Sequence, residues 1–160
     1  MVLVDALLYA QNFKPKFIVD VGTVSSEIAP VLGPVSSGVF TNCEELWQQI
    51  KNAGVHTGDR VWRMPLWDHY SRLICSSKAV DVQNIGIGKG GASCKGAAFL
   101  REFVPFGPWM HIEAHNIMTT DGIEYPYLKY GMAGRPTRTL IEFLAQTVCQ
   151  DIQPNTSTKF

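Results

Sequence analysis

The sequence predicts an α/β layer architecture, because short β-branched runs alternate with segments whose apolar residues recur at helical spacing. "KFIVDVGT" (Lys16–Thr23) is almost continuously apolar, the pattern of a strand covered on both faces. Leu46, Trp47, Ile50 and Ala53 form a helical stripe, and Leu140, Ile141, Leu144 and Val148 form another near the end of the chain.

The elements follow in order. Val2 to Phe13 aligns Leu3, Leu7 and Ala10, with Ala6 alongside, and reads as a helix. It begins at the first residue with no cap before it, which is odd for a complete protein. "SGVFTN" (Ser37–Asn42) reads as a second strand. Asn42 with Glu45 resembles a capping box that opens the Leu46–Ala53 helix, and Gly54 is expected to end it. Gly91 to Val104 sets small residues beside Phe99, Leu100 and Phe103 and reads as a helix. "WMHIEAHNIM" (Trp109–Met118) reads as a strand. Pro136 suits the first turn of a last helix whose Leu140, Ile141, Leu144 and Val148 are expected to face inward. Residues 1–149 are expected to form the domain, and the polar stretch 150–160 a disordered tail.

Composition narrows the function classes. The chain's 160 residues fit one domain or part of a larger one. Its formal net charge is zero, without a basic run, so nothing electrostatic points to nucleic acid or an anionic membrane as partner. Cys43, Cys75, Cys94 and Cys149 are far apart and form no C-x-x-C pair. That suits a reduced, cytoplasmic chain better than a disulfide framework or zinc finger. The apolar start carries Asp5 and no basic leader, which makes a poor signal peptide. No stretch approaches the roughly 18 apolar residues of a membrane span.

"HIEAH" (His111–His115) invites a metal reading. Alternate residues of a strand share a face, so His111, Glu113 and His115 would point together, and imidazole and carboxylate suit zinc or manganese. The competing reading is a buried strand with two packing histidines. A lone motif with no second ligand cluster is weak.

"TGDRVWRMPLWDHY" (Thr57–Tyr70) and "GMAGRPTRTLIEFL" (Gly131–Leu144) carry more information. With "VDALLYA", "KPKFIVDVGTVS", "GVFTN", "AVDVQNIG", "AAFLREFV" and "PYLKYGM", they resemble the leucine aminopeptidase family, cytosolic metal-dependent exopeptidases, from Met1 to about Val148. The resemblance implies the C-terminal portion of an α/β catalytic domain with a central mixed sheet flanked by helices. It implies a homo-oligomer, a hexamer in the family, or assembly with paralogous subunits. In the family two divalent ions, zinc or manganese, activate a bridging water that attacks the carbonyl beside a peptide's free amino terminus. Their lysine and carboxylate ligands belong to segments preceding the helix that "MVLVDALLYA" matches. Neither they nor the family's catalytic arginine has a counterpart at matching positions here, so no metal ligand and no catalytic residue is expected. Asp20 and Asp81 match no ligand position.

The pocket segments depart from the family too. "WMHIEAHNIM" corresponds to a strand typically reading "WAHLDIAGVM", so Trp109, His111 and Met118 match and Glu113 replaces Asp. His115 and Asn116 stand at the small Ala-Gly pair. The resemblance makes HIEAH ordinary family structure, with His115 filling the pocket for the first substrate side chain. "DVATLTGA" becomes "DVGTVSSE" (Asp20–Glu27), with Thr23 kept, Val24 for Leu, Ser26 for Gly and Glu27 for Ala. Thr23, Val24, Ser26, His115 and Met118 are therefore the implied pocket positions. Ser26 would be strained if the backbone there has positive φ. In "GIGKGGASCKGAAFL" (Gly86–Leu100), Lys89 keeps a charge, while Lys95 replaces Thr and must snorkel or find a partner. Cys94 matches a family cysteine and reads as a small buried residue. Trp62, Trp67 and Trp109 read as core or subunit contacts, and Arg60, Arg63, Arg135 and Arg138 as loop or interface anchors.

Two functions remain. One is a non-catalytic family member that keeps fold and assembly surfaces, similar to sperm-type paralogues with degraded sites. The other is the second half of an active aminopeptidase, with peptide as substrate and ligands supplied upstream. Well-kept scaffold blocks beside changes at Ser26, Glu27, His115 and Asn116 favour the first.

Overall fold

The computed structural model describes residues 2–125 and 127–148. Along the chain come α1 (Val2–Ala10), β1 (Ile18–Gly22), α2 (Ile28–Leu32), β2 (Ser37–Thr41), α3 (Glu44–Thr57), β3 (Val61–Arg63) and α4 (Asp68–Ile74). There follow α5 (Ala92–Glu102), β4 (Trp109–Glu113), β5 (Thr119–Thr120), β6 (Gly131–Met132) and α6 (Thr137–Val148). Single 3-10 turns span Gln11–Phe13, Gly33–Val35 and His115–Ile117.

Four strands form a mixed sheet in the order β1-β4-β2-β3. β1 runs parallel to β4, with Ile18 opposite Trp109 and Gly22 opposite Glu113. β2 runs antiparallel to β4, with Gly38 opposite Glu113, and β3 lies parallel to β2. The expected α/β architecture, a mixed sheet flanked by helices, is what the chain adopts. β4 is paired on both sides, and all five of its residues are buried.

Period-two alternation divides the core into two halves. Phe40 and Trp109 face α1, α4 and α5, where they meet Val4, Leu7, Ile74, Ala97, Ala98, Phe99 and Leu100. Val39, Met110 and Ile112 face the opposite side and meet Leu46, Ile50 and Ala53 of α3 and Phe143 of α6. β1 is less covered than its apolar run suggests. It is an edge strand with one partner, and Val21 is 39% exposed.

Two expected boundaries shift for identifiable reasons. Asn42 is no helix cap: its carbonyl accepts the Trp109 N–H at 2.7 Å, and its amide donates to Gly107 O at 3.0 Å. Cys43 occupies the cap position without a side-chain cap bond; its thiol donates to Glu45 Oε2 at 3.1 Å and its own N–H to Thr41 Oγ1 at 3.1 Å. Gly54 does not end α3, which runs on to Thr57 and stops at Gly58 with φ 76°. Gly54 serves a close approach instead: a Cβ there would sit 3.2 Å from Asp59 O and 3.3 Å from Val61 N.

α6 presents a different face from the one expected. Thr139 and Phe143 are its buried residues, with Leu140 packed beside them, whereas Ile141, Leu144 and Val148 are 63%, 50% and 54% exposed. The turn is set by Thr139, whose hydroxyl donates to Asp59 O at 2.7 Å and lies 2.8 Å from Thr57 Oγ1. Pro136 stands one residue before α6, and its carbonyl accepts the Leu140 N–H at 3.1 Å.

Beside this junction Arg135 and Asp59 form a buried ion pair at 2.6 Å, their side chains 5% and 3% exposed. Arg135 also donates to Pro34 O at 2.6 Å and lies over the Tyr125 ring at 4.8 Å. Arg63 pairs with Glu44, and Arg138 stacks on Tyr127. Of the tryptophans, Trp109 belongs to the core, while Trp62 and Trp67 are 63% and 66% exposed. No helix among the described residues is long and apolar enough to cross a membrane. Cys149 and the polar tail lie outside the described residues.

Gly54→Val should lower the unfolding free energy by about 1–3 kcal/mol through overpacking against the returning backbone. A chemical-denaturation midpoint equal to that of the parent chain would show that the contact yields at no cost.

Candidate functional site

The candidate site is the end of the sheet where β1 and β4 terminate, the position at which open α/β sheets present ligand-facing loops. Glu113, the last residue of β4, builds it. Its carboxylate is fully buried and accepts the N–H groups of Val24 at 2.9 Å and Ser25 at 3.1 Å through one oxygen. The other oxygen accepts the His115 N–H at 3.2 Å. Ala114 N–H continues the pairing to Gly22 O at 2.9 Å. One carboxylate thus ties the loop after β1 to the turn after β4. Charge-assisted bonds to backbone donors are the kind that repay burial of an ion.

This geometry corrects the reading of Trp109–Met118 as one strand. Glu113 folds back on His115, and the chain passes into the 3-10 turn His115–Ile117. Strand alternation stops before His115 can join His111 and Glu113 on one face. His111 is wholly buried, and its Nδ1 lies 2.5 Å from Asp20 Oδ1, while Asp20 Oδ2 accepts the Trp109 indole N–H at 2.8 Å. Both Asp20 oxygens are therefore committed to neighbours on β4. Asp81 lies exposed in the segment between α4 and α5.

The implied pocket positions come together only in part. Val24 is held by Glu113 and packs on α5, where a Cβ at Gly96 would meet its side chain at 3.1 Å. His115 is half-buried beside it, whereas Thr23 and Ser26 are exposed and Met118 is 40% exposed. Ser26 carries no positive φ, so the anticipated strain is absent; its carbonyl instead accepts the Ala29 N–H at 3.1 Å and opens α2. The largest described cavity, about 720 Å³, lies elsewhere and includes none of these five residues.

Three contacts here escaped the sequence. Glu27 accepts the Ala92 N–H at 2.9 Å and so caps α5 from across the molecule. Asn116 is buried, and its amide donates to Gly33 O and to Ser36 O, the latter at 2.7 Å. Lys95, expected to snorkel or find a partner, is buried and donates its ammonium to Gly88 O at 3.0 Å. Each partner is remote or belongs to an irregular loop, so no periodic signal could reveal it. Burial pushes the Cys94 thiol above its ordinary value, against the Tyr70 hydrogen bond that lowers it. A thiol held neutral in this way is a packing residue.

The donor set does not fit a pair of divalent ions. Among the described residues no group of three or more His, Cys, Asp or Glu side chains gathers around one point. The two carboxylates nearest the strand ends, Asp20 and Glu113, are occupied by N–H donors and by the His111 ring.

A mixed sheet with helices on both faces and loops tied at its strand ends defines an α/β domain of the type that carries enzyme sites. Comparison narrows this. The profile of the cytosol aminopeptidase family, catalytic domain, matches residues 1–141. The cytosol aminopeptidase of Bos taurus is 48% identical over 144 residues, covering 90% of this chain and 28% of that protein. The Homo sapiens cytosol aminopeptidase is 47% identical over 144 residues, with the same shares. That of Dictyostelium discoideum is 41% identical over 146 residues, or 89% of this chain and 27% of its own. This chain belongs to the cytosol aminopeptidase family. It spans little more than a quarter of the length of the curated relatives it matches.

Glu113→Gln puts an NH2 group where an oxygen accepts backbone N–H bonds, and should cost about 1.5–3 kcal/mol. Amide hydrogen exchange at Val24, Ser25 and His115 should accelerate more than at residues within α3. Unchanged exchange at all three would remove Glu113 from this role.

Proposed function

We propose that this chain is a non-catalytic member of the cytosol aminopeptidase family whose retained scaffold serves assembly. The observation that carries the reading is the commitment of Asp20 and Glu113 to internal donors, with no cluster of three or more His, Cys, Asp or Glu side chains among the described residues. Thr23, Val24, Ser26, His115 and Met118 mark a vestigial first-residue pocket in this reading, which the His115 imidazole narrows. Apolar side chains exposed on α6, Ile141, Leu144 and Val148, together with Tyr130 and Met132, support a homo-oligomer or assembly with paralogous subunits.

A second reading rests on the identity of 48% over 144 residues, with only 28% of the relative covered. In it the chain is part of an active aminopeptidase whose zinc or manganese ligands lie on sequence beyond these 160 residues. Its scaffold would then hold a peptide while the rest supplies the chemistry.

The purified 160-residue chain should release no leucine from leucyl substrates with added manganese or zinc, and calorimetry should detect no tight pair of metal sites. Stoichiometric, metal-dependent turnover would sink the non-catalytic reading.

In a chimera completed with the missing portion of a cytosol aminopeptidase, His115→Ala should strengthen binding of a leucyl substrate or bestatin-like inhibitor. Relief of about 1.4 kcal/mol of crowding corresponds to roughly tenfold. Asn116→Gly strips the amide donor from Gly33 O and Ser36 O, and should lower stability by about 1–3 kcal/mol instead. A chimera that binds metal and ignores His115→Ala would clear that imidazole of blocking the pocket.

A further inference from the structure

The largest described cavity, about 720 Å³, lies beside β3 and belongs neither to the β1/β4 strand ends nor to the vestigial pocket. We propose that it is a binding site for a small aryl carboxylate, a flat aromatic body bearing one anionic group.

Sequence periodicity builds one wall. Trp47, Lys51 and Val55 are spaced by four along α3 and share one helix face. Arg60 and Trp62 come from the entry and middle of β3, Tyr125 and Tyr127 from a turn in which the Leu128 N–H donates to Tyr125 O at 3.0 Å, and both pairs line the same space. The cavity is thus aromatic and aliphatic within, with two cations on its wall. Its size falls within the ordinary range of small-molecule sites, about 300–1,000 Å³.

The aromatic walls are braced from behind. Arg63 lies over Trp47 at 6.0 Å, Arg135 over Tyr125 at 4.8 Å and Arg138 over Tyr127 at 4.5 Å. None of these three guanidinium residues lines the cavity itself. The Tyr125 hydroxyl donates to Val35 O at 2.8 Å, which fixes that ring in its plane. Rings held this way lose little freedom when a ligand stacks on them.

Charge selects the ligand. Among the described residues neither Lys51 nor Arg60 forms an ion pair. The acidic wall residue, Glu124, already accepts the Thr120 hydroxyl at 2.5 Å. The wall therefore carries two unneutralised cations against one engaged carboxylate, which favours an anion and disfavours an ammonium. The space opens beside β3, an edge strand of this sheet, and its volume of about 720 Å³ suits a small acid rather than a long protein segment.

The test uses naphthalene-2-carboxylate as probe on the 160-residue chain, with calorimetry and quenching of tryptophan fluorescence. One saturable site is expected, with a Kd of about 0.1–1 mM for a ligand of this size. The neutral 2-naphthamide should bind roughly tenfold more weakly, about 1.4 kcal/mol. The exposed double change Lys51→Ala with Arg60→Ala should abolish that difference, and Trp62→Ala should weaken acid and amide alike. No saturable binding, or equal affinity for acid and amide in the parent chain, would overturn the proposal. So would tighter binding of a tripeptide ending in phenylalanine, which reassigns the cavity to peptide ends. Probe binding that vanishes as protein concentration rises would overturn it too, in favour of a second copy of this chain.

Discussion

A buried carboxylate governs how this chain is arranged where β1 and β4 end. Glu113 has no access to water, and an ion so placed must find donors inside the protein. It finds them in the backbone of two separate loops, and those loops can adopt only conformations that bring Val24, Ser25 and His115 to it. The bent exit from β4, the exposure of Thr23 and Ser26 and the placement of His115 all follow. The constraint that builds the site also leaves neither Glu113 oxygen without an internal donor.

A second electrostatic junction, Arg135 with Asp59, works at the far side of the sheet. Removing either partner would strand a buried charge, which makes such pairs costly to break even where they add little net stability. Arg135 also collects the carbonyls of Pro34 and Val35, so the approach to β2, the end of α3 and the start of α6 meet at one guanidinium. Its planar fork serves several acceptors at once, which an ammonium could not do. Asn116 binds Ser36 O from the other side, and so the two junctions share the short segment leading into β2.

How much of this the sequence discloses depends on the range of the interaction. α1, β1, β2 and α5 are legible because each carries its own apolar period, and the mixed sheet follows from the family resemblance. β3 and α4 are too short to show a period, and they hide inside a stretch conspicuous only for its aromatics. α6 is legible as a helix, yet its buried face is misread: two threonine hydroxyls and a carbonyl, rather than its leucines, set its rotation. Asn42 shows the same failure at closer range. Local chemistry makes it a cap, but a strand 67 residues away claims its side chain. The implied pocket positions are legible as a set through resemblance alone, and the Glu113 anchor that arranges them through neither route.

The sheet order has a consequence for the birth of the molecule. β4 is the only strand that joins β1 to β2, yet Asp20 of β1 meets His111 of β4 across 91 residues. A ribosome releases β1 and β2 long before it releases the strand that lies between them. Until Trp109–Glu113 emerges, β1 has no neighbour in this sheet and the face that covers Phe40 is incomplete. Contacts so distant in sequence make closure slow, and the waiting strands present bare edges to any other chain in the meantime. The edge of β1 is therefore open to wrong pairing until Trp109–Glu113 has emerged, and a chaperone that shields β1 would act in that interval.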